Sequence, residues 1–124
     1  MLKSTQTDKL KRARRHESDI ANRLSLIFPN VNVQPGSGNI ATSPNDVKAK
    51  NEFMVECKST VSNTITLELN WLQRATTLAS SFGLGAVVAI RFYLNVNSDY
   101  FVLPAQEYYD LLECREELKT LTKT

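Results

Sequence analysis

The sequence contains few of the residues that stabilise disulfide-rich or zinc-binding proteins. Among its 124 residues are two cysteines, Cys57 and Cys114, and one histidine, His16. Two cysteines cannot build a framework of several disulfides, and the Cys and His positions do not match a metal-binding spacing. We therefore expect a reducing, intracellular setting and no Cys/His metal centre.

The chain also lacks a long apolar segment. Its longest apolar run spans residues 84–90, whereas a membrane-spanning helix needs about 20 residues. The basic amino terminus is not followed by an apolar segment, so we expect no signal peptide. The length and the hydrophobic content of 42% indicate one domain with a packed core over residues 1–124.

The net charge of +2 is small, but the basic residues are unevenly distributed. The first sixteen residues contain one acid, Asp8, and a cluster of basic side chains. This pattern favours a polyanionic partner, and a solvated basic helix without a partner is the alternative. The basic residues are Lys3, Lys9, Lys11, Arg12, Arg14 and Arg15.

Hydrophobic periodicity predicts an α/β protein whose mixed central sheet is flanked by helices. We predict helices over residues 9–28, 67–82 and 105–118, with a frayed tail after them. The predicted strands cover residues 31–34, 45–49, 53–58, 86–93 and 100–103, and residues 95–99 are expected to form a turn. Gly83 and Gly85 are expected to close the second helix.

Each predicted helix has apolar residues at helical spacing, and these are expected to face the core. In the first helix they are Leu10, Ala13, Ile20, Ala21, Leu24, Ile27 and Phe28. In the second they are Leu69, Leu72, Ala75, Leu78, Ala79 and Phe82. In the third they are Tyr108, Leu111 and Leu112, with Cys114 at the margin.

Two charged motifs flank a predicted hairpin centred on Asn51. Asp46 and Glu56 are equally distant from Asn51, so a tight hairpin would place them opposite each other or one residue out of register. Lys58 lies two residues after Glu56, and the two side chains therefore project to the same side of a strand. An ordinary hairpin with a charged, solvated face is the alternative interpretation.

Two carboxylates and a lysine form a group that can bind a divalent cation and cleave a phosphodiester. Magnesium prefers carboxylate and water oxygens, so Asp46, Glu56 and the backbone carbonyl of Cys57 are candidate ligands. A bound ion polarises the phosphate and activates water. Lys58 can orient that water or neutralise the charge that develops on the phosphate.

Glu17 lies on the apolar face of the first helix, three residues before Ile20. An inward-facing acid is costly unless it is paired or bound to a metal, so Glu17 is a candidate third acid of the site. A salt bridge to Arg14 at the helix edge is the alternative. His16 is expected to be exposed and without a role.

Further polar residues lie near these acids in the sequence. Gly36 and Gly38 allow backbone to approach a phosphate closely, and Ser37 between them can donate a hydrogen bond; a plain turn is the alternative. Gln73 and Arg74 on the second helix can reach the site or the DNA backbone, or they are simply solvated. Trp71 is expected to pack rather than to stack on bases.

The ordered set of motifs resembles the PD-(D/E)xK nuclease superfamily and, within it, the archaeal and phage-type Holliday junction resolvases. The resemblance covers most of the chain and rests on the helical Glu17, on residues 36–38, on residues 44–46, on residues 56–58 and on the helix that carries Gln73. Asn45 separates Pro44 from Asp46, which departs from the Pro-Asp of the superfamily's name.

The resemblance implies a role for each matching residue. Glu17 matches the helical acid and Ser37 the serine of a mobile loop near the cut. Asp46 and Glu56 match the metal ligands, and Lys58 matches the catalytic lysine. Resolvases of this kind are similar in being homodimers that bind four-way junctions through basic surfaces and make paired nicks with Mg²⁺; we expect Mn²⁺ to substitute.

The leading hypothesis is therefore a magnesium-dependent, structure-selective DNA endonuclease in the cytoplasm or nucleoid of a host cell. The small size and the Asn/Thr-rich composition indicate a phage or mobile-element source. The DNA-binding residues are expected to be Lys9, Lys11, Arg12, Arg14, Arg15, Ser37 and Gln73. The alternatives are a restriction- or recombination-associated nuclease on the same core and a DNA-binding module without turnover. An exposed dimerisation face is expected either in residues 86–93 or in the last helix.

Overall fold

The computed structural model describes residues 6–33, 47–50 and 52–122. These residues form three helices and five strands of one mixed sheet, so the predicted α/β class is confirmed. The elements are α1 (Gln6–Leu24), β1 (Val31–Val33), β2 (Val47–Ala49), β3 (Phe53–Thr60), α2 (Leu69–Ser81), β4 (Gly85–Tyr93), β5 (Asn97–Val102) and α3 (Ala105–Thr122).

The sheet has the strand order β1-β2-β3-β4-β5, and only the β3–β4 pair is parallel. Two parallel neighbours need a crossover connection, and α2 supplies it. The β2–β3 hairpin pairs Val47 with Val55 and Ala49 with Phe53. These pairs are symmetric about position 51, which is the first of the two registers that the sequence left open.

Side chains of β3 and β4 alternate between two apolar layers, as the two-residue period of a strand requires. On one face, Val55 and Ala89 pack with Ile20 and Ala21 of α1. On the other face, α2 covers the sheet, and its Ala79 contacts buried residues at positions 54 and 86. The sheet centre is therefore buried between α1 and α2.

Helix α2 ends in a Schellman motif at Gly83, whose φ is +73°. The N–H of Gly83 donates to the carbonyl of Ser80, and the N–H of Leu84 donates to that of Ala79, each at 2.9 Å. This left-handed conformation favours glycine. The prediction that Gly83 closes the helix agrees with this geometry, whereas Gly85 is the first residue of β4.

The ends of several elements differ from the prediction. Helix α1 ends at Leu24 rather than at residue 28, because the N–H groups of Ile27 and Phe28 both turn back to the Leu24 carbonyl. Helix α3 continues to Thr122 instead of fraying after residue 118. Strand β5 begins at Asn97, so most of the predicted turn is strand. Its Asp99 pairs with Arg91 of β4, and this pairing outweighs the low strand propensity of Asn and Asp.

Several apolar residues predicted to face the core are exposed. A helix lying on a sheet buries the middle of its apolar stripe, which in α2 is Ala75 and Ala79, and leaves the margins in solvent. In α3 no residue is buried. The exposed residues are Leu10, Ile27, Leu69, Phe82, Tyr108, Leu111 and Cys114.

A buried arginine joins α1 to the last two strands. The side chain of Arg91 is 7% exposed, and its Nε and Nη2 donate to the two carboxylate oxygens of Asp99 at 2.6 and 2.8 Å. Its Nη1 donates to Asp19 on α1 at 2.6 Å. The hydrogen bonds from Arg91 lower the pKa of Asp99. Removing either acid would leave the buried guanidinium with fewer acceptors, which is destabilising.

His16 is buried beside this ion pair, so the expectation that it is exposed was wrong. It is 1% exposed, and neither ring nitrogen has a hydrogen-bond partner in the described part of the chain. The spacing of four residues from His16 to Ile20 places both on one face of α1. Burial, and then the charge of Arg91, lower the pKa of His16 to about 4.

The lowered pKa of His16 predicts acid sensitivity of the fold. Between the ordinary pKa of 6.5 and about 4, the unfolded chain binds a proton that the folded chain does not. The free energy of unfolding should therefore fall by roughly 1.4 kcal/mol per pH unit as the pH decreases through this window. Urea denaturation of wild type and His16→Leu at several pH values tests this. The variant should lack this part of the slope, and parallel curves would contradict the prediction.

Candidate active site

Glu56 lies in the middle of β3 and is held by a hydrogen bond from α2. It is 9% exposed and lies beside Val88 of β4 in the parallel register. The Nε1–H of Trp71 donates to Glu56 Oε1 at 3.0 Å. A carboxylate can remain charged in such a buried position only when hydrogen bonds or ions compensate for lost hydration. The structure therefore presents Glu56 as a fixed acid on the face covered by α2.

Lys58 projects from the same face of β3 and contacts the same indole. Its Nζ lies 4.6 Å from the centroid of the Trp71 ring. It also donates to the carbonyl oxygen of Thr66 at 3.3 Å. The spacing of two residues between Glu56 and Lys58 thus brings both to one tryptophan, and we call these three residues the Glu56–Trp71–Lys58 cluster.

A cleft of about 250 Å³ opens beside this cluster. Lys58 and Trp71 form part of its wall, and Arg74 adds a second cation from the next turn of α2. The remaining lining residues are Thr66 and Glu68. The cleft gives solvent and an anionic ligand a route to the lysine.

Glu17 is also buried, but it belongs to the helix on the other face of the sheet. It is 9% exposed and lies on α1, whose Ile20 and Ala21 pack on the core side opposite α2. The side chain of Cys57 packs against that same core. Strand alternation therefore directs Cys57 toward α1 and Glu56 toward α2, and Glu17 lies in the α1 layer.

Two of the predicted site residues, Ser37 and Asp46, lie outside the described residues. The same holds for the neighbouring motif residues at positions 36, 38, 44 and 45 and for Lys3. Residue 47, which begins β2, is fully buried. The roles of Ser37 and Asp46 therefore stay predictions from the sequence.

The donor chemistry at Glu56 fits a hard divalent cation. Within residues 6–33, 47–50 and 52–122, no three His, Cys, Asp or Glu side chains form a metal-binding group. Magnesium, however, is usually bound through one or two carboxylates, with water completing the shell. Mn²⁺ is also bound by carboxylate and water oxygens. Glu56 supplies one such carboxylate.

The basic residues of α1 form an exposed cationic surface. The side chains of Lys9, Lys11, Arg14 and Arg15 are exposed. Arg12 is half-buried, and its carbonyl accepts a hydrogen bond from the Tyr93 hydroxyl at 2.8 Å. This hydrogen bond fixes the backbone of α1 beside β4, so the exposed basic side chains of α1 are held at a defined position.

The other predicted DNA-binding residue among those described is Gln73 on α2, and its side chain is exposed.

The sequence did not assign Trp71 to the site. Trp71 lies fifteen residues from Glu56, in another element. No local spacing could pair the two residues. The one available signal was that Trp71, Ala75 and Ala79 follow one another at intervals of four residues. This spacing places the indole on the sheet-facing row of α2.

The chain has the fold of an archaeal Holliday junction resolvase, as the motifs predicted. A structure of Hjc, a Holliday junction resolvase from the archaeal hyperthermophile Archaeoglobus fulgidus, superposes with a TM-score of 0.56. The two chains are 24% identical over 74% of this chain and 75% of that one. No family model and no curated protein sequence matches the chain. The likeness is one of fold.

In the described ranges, no helix has the length and apolar character needed to cross a membrane.

Proposed function

We propose that this protein is a magnesium-dependent, structure-selective DNA endonuclease that cleaves four-way junctions by paired nicks. The observation that carries the proposal is the Glu56–Trp71–Lys58 cluster on the central strand of a resolvase fold. An acid and a cation fixed side by side, next to an open cleft, suit the hydrolysis of a phosphodiester. The exposed cationic surface of α1 supports DNA as the substrate.

The proposed roles follow from the chemistry of each side chain. Asp46 and Glu56 hold the cation, together with the backbone carbonyl of Cys57. The bound ion supplies a positive charge that polarises the scissile phosphate and acidifies water. Lys58 neutralises charge on the phosphate from its place at the cleft. Glu17 is proposed to assist the site from the α1 layer, on the other face of the sheet from Glu56, and Ser37 to contact the DNA backbone beside the cut.

The metal ligands are tested by conservative substitution. We expect Asp46→Asn and Glu56→Gln each to abolish nicking of a labelled immobile four-way junction, because each removes a charged ligand. Binding of the junction should survive, because it depends on the basic helix. Gel assays with Mg²⁺ or EDTA measure nicking, and band shifts measure binding. The matched control is Glu52→Gln, an exposed acid just before β3.

The same assay separates the proposed function from its alternatives. Paired nicks near the branch point, with linear duplex of matching sequence spared, support a junction resolvase. Equal cleavage of the duplex would leave a nuclease of another kind. A folded wild-type protein that binds DNA but never nicks would contradict the enzyme. Cleavage at the wild-type rate by either variant would overturn the metal assignment.

The basic face of α1 is proposed to contact DNA phosphates. Each lysine or arginine that neutralises a phosphate adds about 0.9 to the salt dependence of binding to duplex arms. We expect Lys11→Gln and Arg15→Gln each to reduce the slope of log K against log salt by up to that amount, for junctions of any sequence. Fluorescence anisotropy at salt concentrations from about 50 to 200 mM measures this slope. Lys50→Gln, at an exposed lysine after β2, is the control, and an unchanged slope in both α1 variants would refute the contact.

We further propose that the active form is a homodimer joined through α3 and β5. Paired nicks need two sites, and the chain carries one. Of the two surfaces that the sequence left open, residues 86–93 suit the proposal less well, because Ala86, Val88 and Ile90 are buried. Helix α3 and edge strand β5 instead expose apolar side chains, and such surfaces are typical of interfaces. These are Tyr100, Phe101, Tyr108, Tyr109, Leu111, Leu118 and Leu121.

A charge placed on this surface should prevent association. We expect Leu118→Glu to convert a dimer to a monomer, since a buried carboxylate without a partner is costly. Light scattering coupled to size-exclusion chromatography measures the mass. Leu26→Glu, at an exposed leucine after α1, should remain dimeric. A wild-type protein that is monomeric at micromolar concentration, or a Leu118→Glu dimer, would contradict the proposal.

A further inference from the structure

Trp71 lies where the sheet-facing row of α2 meets the candidate active site. It is the only tryptophan in the chain. Ala75 and Ala79 follow it at intervals of four residues, and both are buried against the sheet. These small side chains allow α2 to lie close to β3 and β4. The first residue of this row is therefore Trp71, a large side chain whose N–H faces Glu56. The next two residues of the row make only apolar contacts.

The indole makes two different contacts with the two charged residues of β3. Its N–H donates to Glu56 at 3.0 Å, and hydrogen bonds to a charged acceptor are stronger than neutral ones. Its ring face lies under the ammonium group of Lys58, at 4.6 Å from the centroid, within the range of a cation–π contact. One rigid side chain therefore restricts the rotamers of both Glu56 and Lys58.

We propose that Trp71 is a positioning residue of this site, which fixes the Glu56 carboxylate through its N–H and the Lys58 ammonium through its ring. The inference rests on the proposed nuclease function and adds a residue to it. A residue that orients a metal-binding carboxylate typically changes metal affinity or activity by about 10- to 100-fold when it is replaced. Trp71 acts on the reaction only through Glu56 and Lys58.

Two substitutions separate the two contacts. Trp71→Phe keeps a ring under Lys58 and removes the donor to Glu56, whereas Trp71→Leu removes both. Thr76→Ala is the matched control, because Thr76 is exposed on α2 and its hydroxyl bonds within its own helix. Circular dichroism and thermal unfolding establish that each variant is folded before nicking is compared.

In Trp71→Phe we expect kcat for junction nicking to fall by about tenfold or more, with KM for the junction unchanged. The Mg²⁺ concentration for half-maximal rate should rise, and calorimetry should show weaker Mg²⁺ binding without DNA. Trp71→Leu should lose more activity than Trp71→Phe. A purely structural role would instead reduce the folded fraction and leave the metal dependence of the folded protein unaltered.

A spectroscopic readout tests the contact without catalysis. The single tryptophan gives one indole N–H signal in a ¹H–¹⁵N spectrum. That signal should move on addition of Mg²⁺ and in Glu56→Gln, and it should stay in place in Glu52→Gln. An indole signal that ignores both Mg²⁺ and Glu56→Gln would overturn the proposed hydrogen bond.

The two proposals fail in distinguishable ways. If wild type nicks junctions and Trp71→Phe matches it in rate and in Mg²⁺ dependence, the positioning role is wrong and the nuclease stands. If folded wild type neither binds Mg²⁺ nor nicks, the nuclease is wrong and the positioning role falls with it. Equal loss in the Phe and Leu variants would remove the Lys58 part of the inference.

Discussion

The parallel pairing of β3 with β4 is the contact on which the candidate site depends. It joins Phe53–Thr60 to the residues from Gly85 to Phe92 in continuous register. Because helices cover both faces of this pair, each side chain of β3 belongs to one of two layers. The position of a residue in β3 therefore decides whether its side chain reaches the cleft or the apolar core. Glu56 and Lys58 reach the α2 layer and its cleft, while Cys57 between them contributes to the apolar core under α1.

A second constraint acts at the other end of β4. Arg91 binds Asp99 in a bidentate manner and also binds Asp19, so one guanidinium connects the edge hairpin to the helix that carries Glu17. His16 lies beside it, uncharged at neutral pH because burial and Arg91 lower its pKa. The helix that presents the cationic surface is thus fixed to the sheet by a polar contact as well as by Ile20 and Ala21.

The sequence predicted those parts of the structure that depend on near neighbours. The hairpin symmetry about position 51, the common side of Glu56 and Lys58, and the glycine end of α2 each follow from spacings of a few residues. Strand β5 was placed too late because its Asp99 is held by Arg91, eight residues away.

Contacts between distant elements were not accessible in this way. The bond from Trp71 to Glu56 depends on how α2 crosses the sheet, and the burial of His16 depends on where β4 ends. Nor could periodicity show that α3 buries nothing, since leucines and tyrosines in a helix predict burial whether or not a partner surface exists. Ser37 and Asp46 remain sequence predictions, while Glu17 and Glu56 have defined places in the α1 and α2 layers.

The exposure of α3 has a thermodynamic consequence. Most helical stability in proteins comes from packing an apolar face. Helix α3 has no buried residue in the single chain, so it should open at a lower free energy than the buried strands β3 and β4. Any surface that covers it adds binding free energy directly to its folding. If two chains associate through α3, as proposed, the ordering of this segment and the association form one equilibrium, and its helical content then depends on concentration.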